Sequence, residues 1–107
     1  MFEYVLENTL EADLEEWARK EIKLAGGRMY KWVIPATKGP PDNICFWPER
    51  VVHFLEFKNG VNAPTAKLQI EFHKDLALFG HTVKIPRDRI WIRAYIDRYR
   101  PKERIRG

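Results

Sequence analysis

A chain of 107 residues, 45% hydrophobic and 32% charged, can enclose one core but is too short for two, and it lacks the composition of a disordered segment. Its apolar runs are too short to span a bilayer, so no membrane partner is expected, and Glu3 and Glu7 stand where a signal peptide would carry a basic start and an apolar stretch. The formal net charge of +4 is segregated: residues 1–25 hold seven acids and three bases, residues 87–107 eight bases and three acids. A basic end of this kind suits a polyanion and equally suits a solvated surface.

In chain order, Asn8-Thr9-Leu10-Glu11 reads as a helix start, with Asn8 as N-cap and Glu11 at N3. Leu10, Leu14, Trp17, Ala18 and Ala25 follow at helical spacing, and Gly26-Gly27 ends the helix. Met29 to Ile34 reads as a strand, and Pro35 to Pro41 as a loop with three prolines. Ile44 to Trp47 and Val51 to Lys58 read as two strands joined by a turn at 48–50. A loop, Asn59 to Pro64, leads to a second helix over Thr65 to Phe79, with Leu68, Phe72, Leu76 and Phe79 as its apolar stripe and Gly80 as its stop. Thr82 to Ile85 is a brief strand. After Pro86-Arg87-Asp88 a third helix can carry Ile92, Tyr95, Ile96 and Tyr99 on one side, although Ile90-Trp91-Ile92 would equally serve as a strand. The order gives an α/β domain: one central mixed β-sheet flanked by helices, with a core at about 8–99 and a basic tail at 100–107.

Chemistry concentrates on the strand ending in Glu56-Phe57-Lys58. Strand alternation puts Glu56 and Lys58 on one face and Leu55 and Phe57 on the other. If the strands pair through the turn at 48–50, Asp42 lies opposite Glu56. Two adjacent carboxylates call for a cation between them, and oxygen ligands alone suit Mg²⁺ or Mn²⁺. Such an ion activates water for phosphodiester hydrolysis, with Lys58 beside it. A bare Glu-x-Lys is more simply an ion pair; Pro41-Asp42 at this distance brings the metal reading level with that one.

Other residues carry less. His53, His73, His81 and the lone Cys45 lack zinc-ligand spacing. His53 is expected to be structural, Cys45 to be core, and His73 and Lys74 to lie on a helix surface. The chain has no serine, which excludes a Ser-His-Asp triad, and no phosphate-loop pattern. A single cysteine fits a reducing cytoplasm. Trp32, Trp47, Trp91, Tyr95 and Tyr99 are core candidates, some free to stack on exposed bases, and the run from Arg98 to Arg106 would suit phosphate contacts.

The ordered set Gly26-Gly27, Lys31 to Pro35, Gly39-Pro40-Pro41-Asp42, Phe54-Leu55-Glu56-Phe57-Lys58, Gln69 and Leu76 to His81 resembles the VRR-NUC domain family of the PD-(D/E)xK, restriction-endonuclease-like superfamily. The resemblance covers roughly residues 11–85. It implies a restriction-endonuclease-like fold, with Asp42 and Glu56 as metal ligands together with the Phe57 backbone carbonyl. It further implies Lys58 as catalytic lysine, Gln69 lining the site, Glu15 as an acid of the first helix, and Lys31 as a base at the first strand. Glu11 and Glu21 are rivals to Glu15. Lys31, Lys38, Arg98 and Arg100 are the candidate DNA contacts. Ile34 and Ala36 depart from the small polar residue and the glycine usual in the family, and the Lys58–Gln69 interval is slightly long. The implied activity is a Mg²⁺- or Mn²⁺-dependent, structure-specific DNA endonuclease, resembling a Holliday junction resolvase acting as a homodimer in a bacterial or phage-infected cell. The rivals are a monomeric flap or nicking nuclease and a non-catalytic DNA-binding module.

Overall fold

The computed structural model describes residues 2–58 and 67–102, and side chains from residue 12 onward. The expected loop Asn59 to Pro64, the helix start at Thr65, the Glu11 side chain and the tail beyond Lys102 lie outside the described residues.

Helix α1 spans Phe2–Ala25 and β1 spans Arg28–Lys31; β2 spans Asn43–Trp47 and β3 Val51–Leu55; α2 covers Lys67–Leu78, β4 Val83–Lys84 and α3 Arg89–Tyr99. The sheet order is β1-β2-β3-β4, antiparallel except for the parallel β3–β4 pair that α2 connects. This is the mixed sheet with flanking helices that the element order predicts. Among the described residues no helix is long and apolar enough to cross a membrane.

Two helix ends share one device. The Gly27 amide donates to the Ile22 carbonyl (2.9 Å) and the Gly26 amide to Lys23 (3.2 Å), with Gly26 at φ 105°. The His81 amide donates to Leu76 (2.9 Å) and the Gly80 amide to Ala77 (3.0 Å), with Gly80 at φ 86°. These six-to-one and five-to-two bonds satisfy the last free carbonyls, and the left-handed position between them favours glycine. The start of α1 differs from expectation: the helix is already formed at Phe2, six residues before Asn8. No Gly or Pro interrupts residues 2–8, and an interior Asn costs under about 1 kcal/mol. At α3 the helix prevails over the strand reading. The Asp88 carboxylate caps it by accepting from the Trp91 amide at 2.8 Å.

The sheet has one thickly covered face. Leu14, Ala18 and Ile22 of α1 meet Ile92, Tyr95 and Ile96 of α3 over Met29, Cys45, Trp47 and Leu55, all buried. Each large apolar side chain among them contributes about 1.5–3 kcal/mol on burial, so this layer carries most of the stability. Cys45 is core as expected. His53 shares that face and its Nδ1 lies 2.6 Å from the Tyr95 hydroxyl, which also accepts from Trp47 Nε1 at 2.8 Å. The opposite face is thin. Helix α2 buries no residue fully, and of its expected stripe Leu68 and Phe79 are exposed. It rests on the sheet mainly through Phe72, whose ring meets Trp32 at 5.9 Å, with Trp32 in turn against Phe54 at 5.1 Å.

Candidate active site

The β2–β3 register pairs Asn43 with Leu55, so the next rung outward faces Asp42 with Glu56. Beyond Leu55 the chain keeps its extended course. The Glu56 amide donates to the Lys84 carbonyl (2.9 Å) and the Lys58 amide to the Pro86 carbonyl (3.2 Å), the every-second-residue rhythm of a parallel ladder. Alternation therefore persists through Lys58, with the Phe57 side chain locked in the core while Glu56 and Lys58 share the other face. Asp42 is fixed from its own side by Trp32, whose amide donates to the Asp42 carbonyl at 2.9 Å, and by the fully buried Pro41.

Three of the predicted residues converge here with a fourth from α2. Lys58 Nζ lies 3.6 Å from Glu56 Oε2 and donates to Gln69 Oε1 at 2.9 Å. Glu56 is buried, and its carboxyl meets the Asp42 carboxyl and the Gln69 amide. Burial first, and then the Asp42 charge, push Glu56 up to about 7 against the opposing pull of Lys58. Its Oε1 is buried with no hydrogen-bond partner among the described residues. A buried acceptor facing a second carboxylate is what a hard divalent cation satisfies, so the donor set fits such an ion.

Glu15 belongs to an adjoining cluster. Its Oε1 accepts from Asn43 Nδ2 at 3.0 Å and Arg19 at 3.3 Å, and it pairs closely with Lys31. Burial would raise this carboxyl, but hydrogen bonds from Lys31 and Asn43 and the charges of Lys31 and Arg19 outweigh it and hold it low. Asn43, fully buried and next to Asp42 in the chain, thus ties Glu15 to the strand that Asp42 leads into. Among the described residues no group of three or more acids, histidines or cysteines is gathered to hold a metal ion, and the partners of Glu15 are Lys31, Arg19 and Asn43. Its rival Glu21 is engaged elsewhere, with Arg93 of α3 at 2.5 Å.

The four candidate DNA contacts are dispersed. Lys31 is on β1 with Glu15, and Lys38 is exposed on the loop before Asp42. Arg98 and Arg100 share a groove with Pro48 and Glu49 of the β2–β3 turn, so the length of β2, roughly 16 Å, separates them from Asp42. His73 is a correction. Expected on the helix surface, it has a buried Nε2 without a partner among the described residues, and burial and the Lys58 charge hold its pKa down. The signal was in the spacing, since His73 is one helical turn past Gln69. Asn43 and Arg19 carried no comparable signal.

An Asp just before one strand and a Glu-x-Lys just past the end of the next, closed by a helix glutamine, are arranged as in a PD-(D/E)xK motif. No family model matches the chain. A solved structure described as a VRR_NUC domain superposes with a TM-score of 0.75, covering 83% of this chain and 96% of its own at 22% identity. "Putative nuclease p44" of Acyrthosiphon pisum secondary endosymbiont phage 1 is 33% identical over 73 residues, 68% of this chain and 77% of that protein. The chain belongs to the nuclease family of that phage protein and has the fold of the VRR_NUC domain.

Proposed function

We propose that the protein is a Mg²⁺- or Mn²⁺-dependent DNA endonuclease that cuts branched DNA, four-way junctions in particular, as a homodimer. The observation carrying the catalytic part is buried Glu56 against the Asp42 carboxyl, with an unpartnered Glu56 Oε1, beside Lys58. Asp42, Glu56 and the Phe57 carbonyl would hold the ion, with Glu15 as the neighbouring acid. When bound, the ion supplies polarisation of a phosphate oxygen and a more acidic water. Lys58, held by Gln69, orients the attacking water and offsets charge developing on the phosphate. Gln69 thereby acts through Lys58. The homodimer rests on symmetry, since paired cuts across a four-way junction need two equivalent centres. It also rests on apolar surface left open at Tyr30, Phe46 and Val52 of the thin sheet face.

The test is a cleavage panel of four-way junction, flap, splayed and linear DNA with Mg²⁺, Mn²⁺, Ca²⁺ or EDTA. Asp42→Ala and Glu56→Ala should each slow cutting about a hundredfold or more, because several kcal/mol of charge stabilisation is removed and about 1.4 kcal/mol is tenfold. Intact cleavage in both variants would overturn the site. A wild type that binds DNA but cuts none would leave the non-catalytic module. Sedimentation of the protein alone and with junction DNA tests the dimer. A monomer cutting one strand gives the flap or nicking reading, which an open groove beside α3, lined by Lys84, Trp91, Arg98 and Tyr99, favours.

A further inference from the structure

Between β4 and α3 runs a groove of about 440 Å³ that the metal centre does not use, lined by Lys84, Trp91, Ala94, Tyr95, Arg98 and Tyr99. Its aromatic wall comes from helical spacing: Trp91, Tyr95 and Tyr99 are four apart and stand above one another on one face. Trp91 stacks on Tyr95 at 5.2 Å with 20° between planes, and Tyr95 meets Tyr99 at 5.1 Å. The His53 ring, 4.4 Å away, holds Tyr99 from behind. Two cations crowd this wall. Lys84 Nζ lies 5.7 Å and the Arg98 guanidinium 5.6 Å from the Tyr99 ring centre. Neither forms an ion pair with a carboxylate among the described residues. The groove continues through Arg98 and Tyr99 into a second one of about 620 Å³, where Arg100 and Lys102 add two more bases against the single acid Glu49.

We propose that this track binds a single-stranded segment of DNA, with bases on Trp91 and Tyr99 and phosphates at Lys84, Arg98 and Arg100. Repelling cations without acids favour an anion. The flat, half-buried rings favour something with an exposed π-face, and in a duplex those faces are hidden by stacking. Only an unpaired strand offers base faces and phosphates together. A groove of this size accepts a nucleoside. The track runs along β4, the edge strand beside the one that leads to Glu56, since Lys84 is paired with Leu55 and its carbonyl accepts the Glu56 amide; the groove opens on the α3 face of the sheet and the carboxylates on the α2 face. Resting on the nuclease reading, this track adds one feature to the branched substrate: an unpaired strand that reaches the α3 face around the β4 edge of the sheet.

The full chain is titrated into a fluorescein-labelled oligothymidylate in EDTA, read by anisotropy, so that no cutting is required. Tyr99→Leu, and Lys84→Glu combined with Arg98→Glu, should each weaken binding about tenfold or more, the scale of one missing stack or two reversed charges. Lys20→Glu, a charge reversal on exposed α1, should weaken it less than about twofold. Because Tyr99 is half-buried, Arg98→Glu alone, at an exposed position, is measured as well, with circular dichroism confirming each fold. Indifference of single-strand affinity to Arg98→Glu, or blunt duplex competing as well as single strand, overturns the proposal. A protein that cuts DNA yet shows that indifference loses only this track. One that binds single strands through it yet cuts nothing loses only the nuclease reading.

Discussion

Glu56 concentrates the tension of the site in one side chain. Its pKa is pushed from the ordinary 4.5 up to about 7, so between those values the folded chain holds a proton that the unfolded chain has released. Stability from this group is therefore present at low pH and lost as pH rises toward 7. His53 does the opposite. Burial and then the Lys84 charge bring it from 6.5 down to about 4, so stability present above 6.5 is lost as pH falls toward 4. The two slopes oppose each other between 4.5 and 6.5, and His73, whose pKa is also held down, adds to the His53 side, so the difference curves rather than the wild-type curve are informative. Glu56→Gln should raise metal-free stability on the order of 1–2 kcal/mol at about pH 8, with little effect near pH 4.5, while abolishing cleavage. His53→Gln should remove the acid-side slope that the wild type owes to this residue. Thermal melts in EDTA from about pH 4 to 8 check both, and a Glu56→Gln protein less stable than wild type at the alkaline end would contradict the buried-repulsion account.

At the scale of elements, the turn between α1 and β1 shows how closely the layers are fitted. A Cβ on Gly27 would stand 2.9 Å from Ile22 Cγ2 and 2.9 Å from Trp47 Cε3, both core atoms with nowhere to go. Gly27→Ala should cost about 1–3 kcal/mol by overpacking, seen as a lower urea midpoint with an unchanged slope. The helix stop was predictable here from glycine's conformational freedom; the crowding by Trp47 lies across the fold. The same division holds elsewhere. The β2–β3 pairing was legible because a three-residue turn fixes register by counting, and with it the facing of Asp42 and Glu56. The strand ends were less so: β1 stops at Lys31, three residues before the expected Ile34, where the chain turns into the loop bearing Ala36 at φ 59°. That left-handed position is where the family usually has glycine, so the departure read in the sequence coincides with local backbone strain. The α2 stripe misled because spacing reports that a face is apolar, not how much sheet is there to cover it.

Across the whole molecule, the charge asymmetry visible in the sequence is largely cancelled where helices meet and left uncancelled at one end. On α1, Glu15 is met by Lys31 and Arg19, Glu16 by Lys20 and Glu21 by Arg93. Arg89 and Arg93 of α3 lie over the Trp17 ring at 4.7 and 4.9 Å. The basic residues at the start of α3 are thus committed to α1, whereas the groove that holds Arg98, Arg100 and Lys102 has, among the described residues, one acid in its lining, Glu49. Net charge then overstates how many bases are free for DNA, and salt dependence can count them. Removing one base that neutralises a phosphate lowers the slope of log affinity against log salt by about 0.7 for single strands and about 0.9 for duplex. Arg98→Gln should lower the slope by about one such increment. Lys31→Gln should lower it by less, because Glu15 already neutralises Lys31 in the free protein and binding must first part them. Anisotropy titrations of oligothymidylate over a range of NaCl concentrations give both slopes directly. Equal decrements from the two variants would mean that Lys31 leaves Glu15 at no cost, and that the acid-rich helix does not hold back the bases it faces.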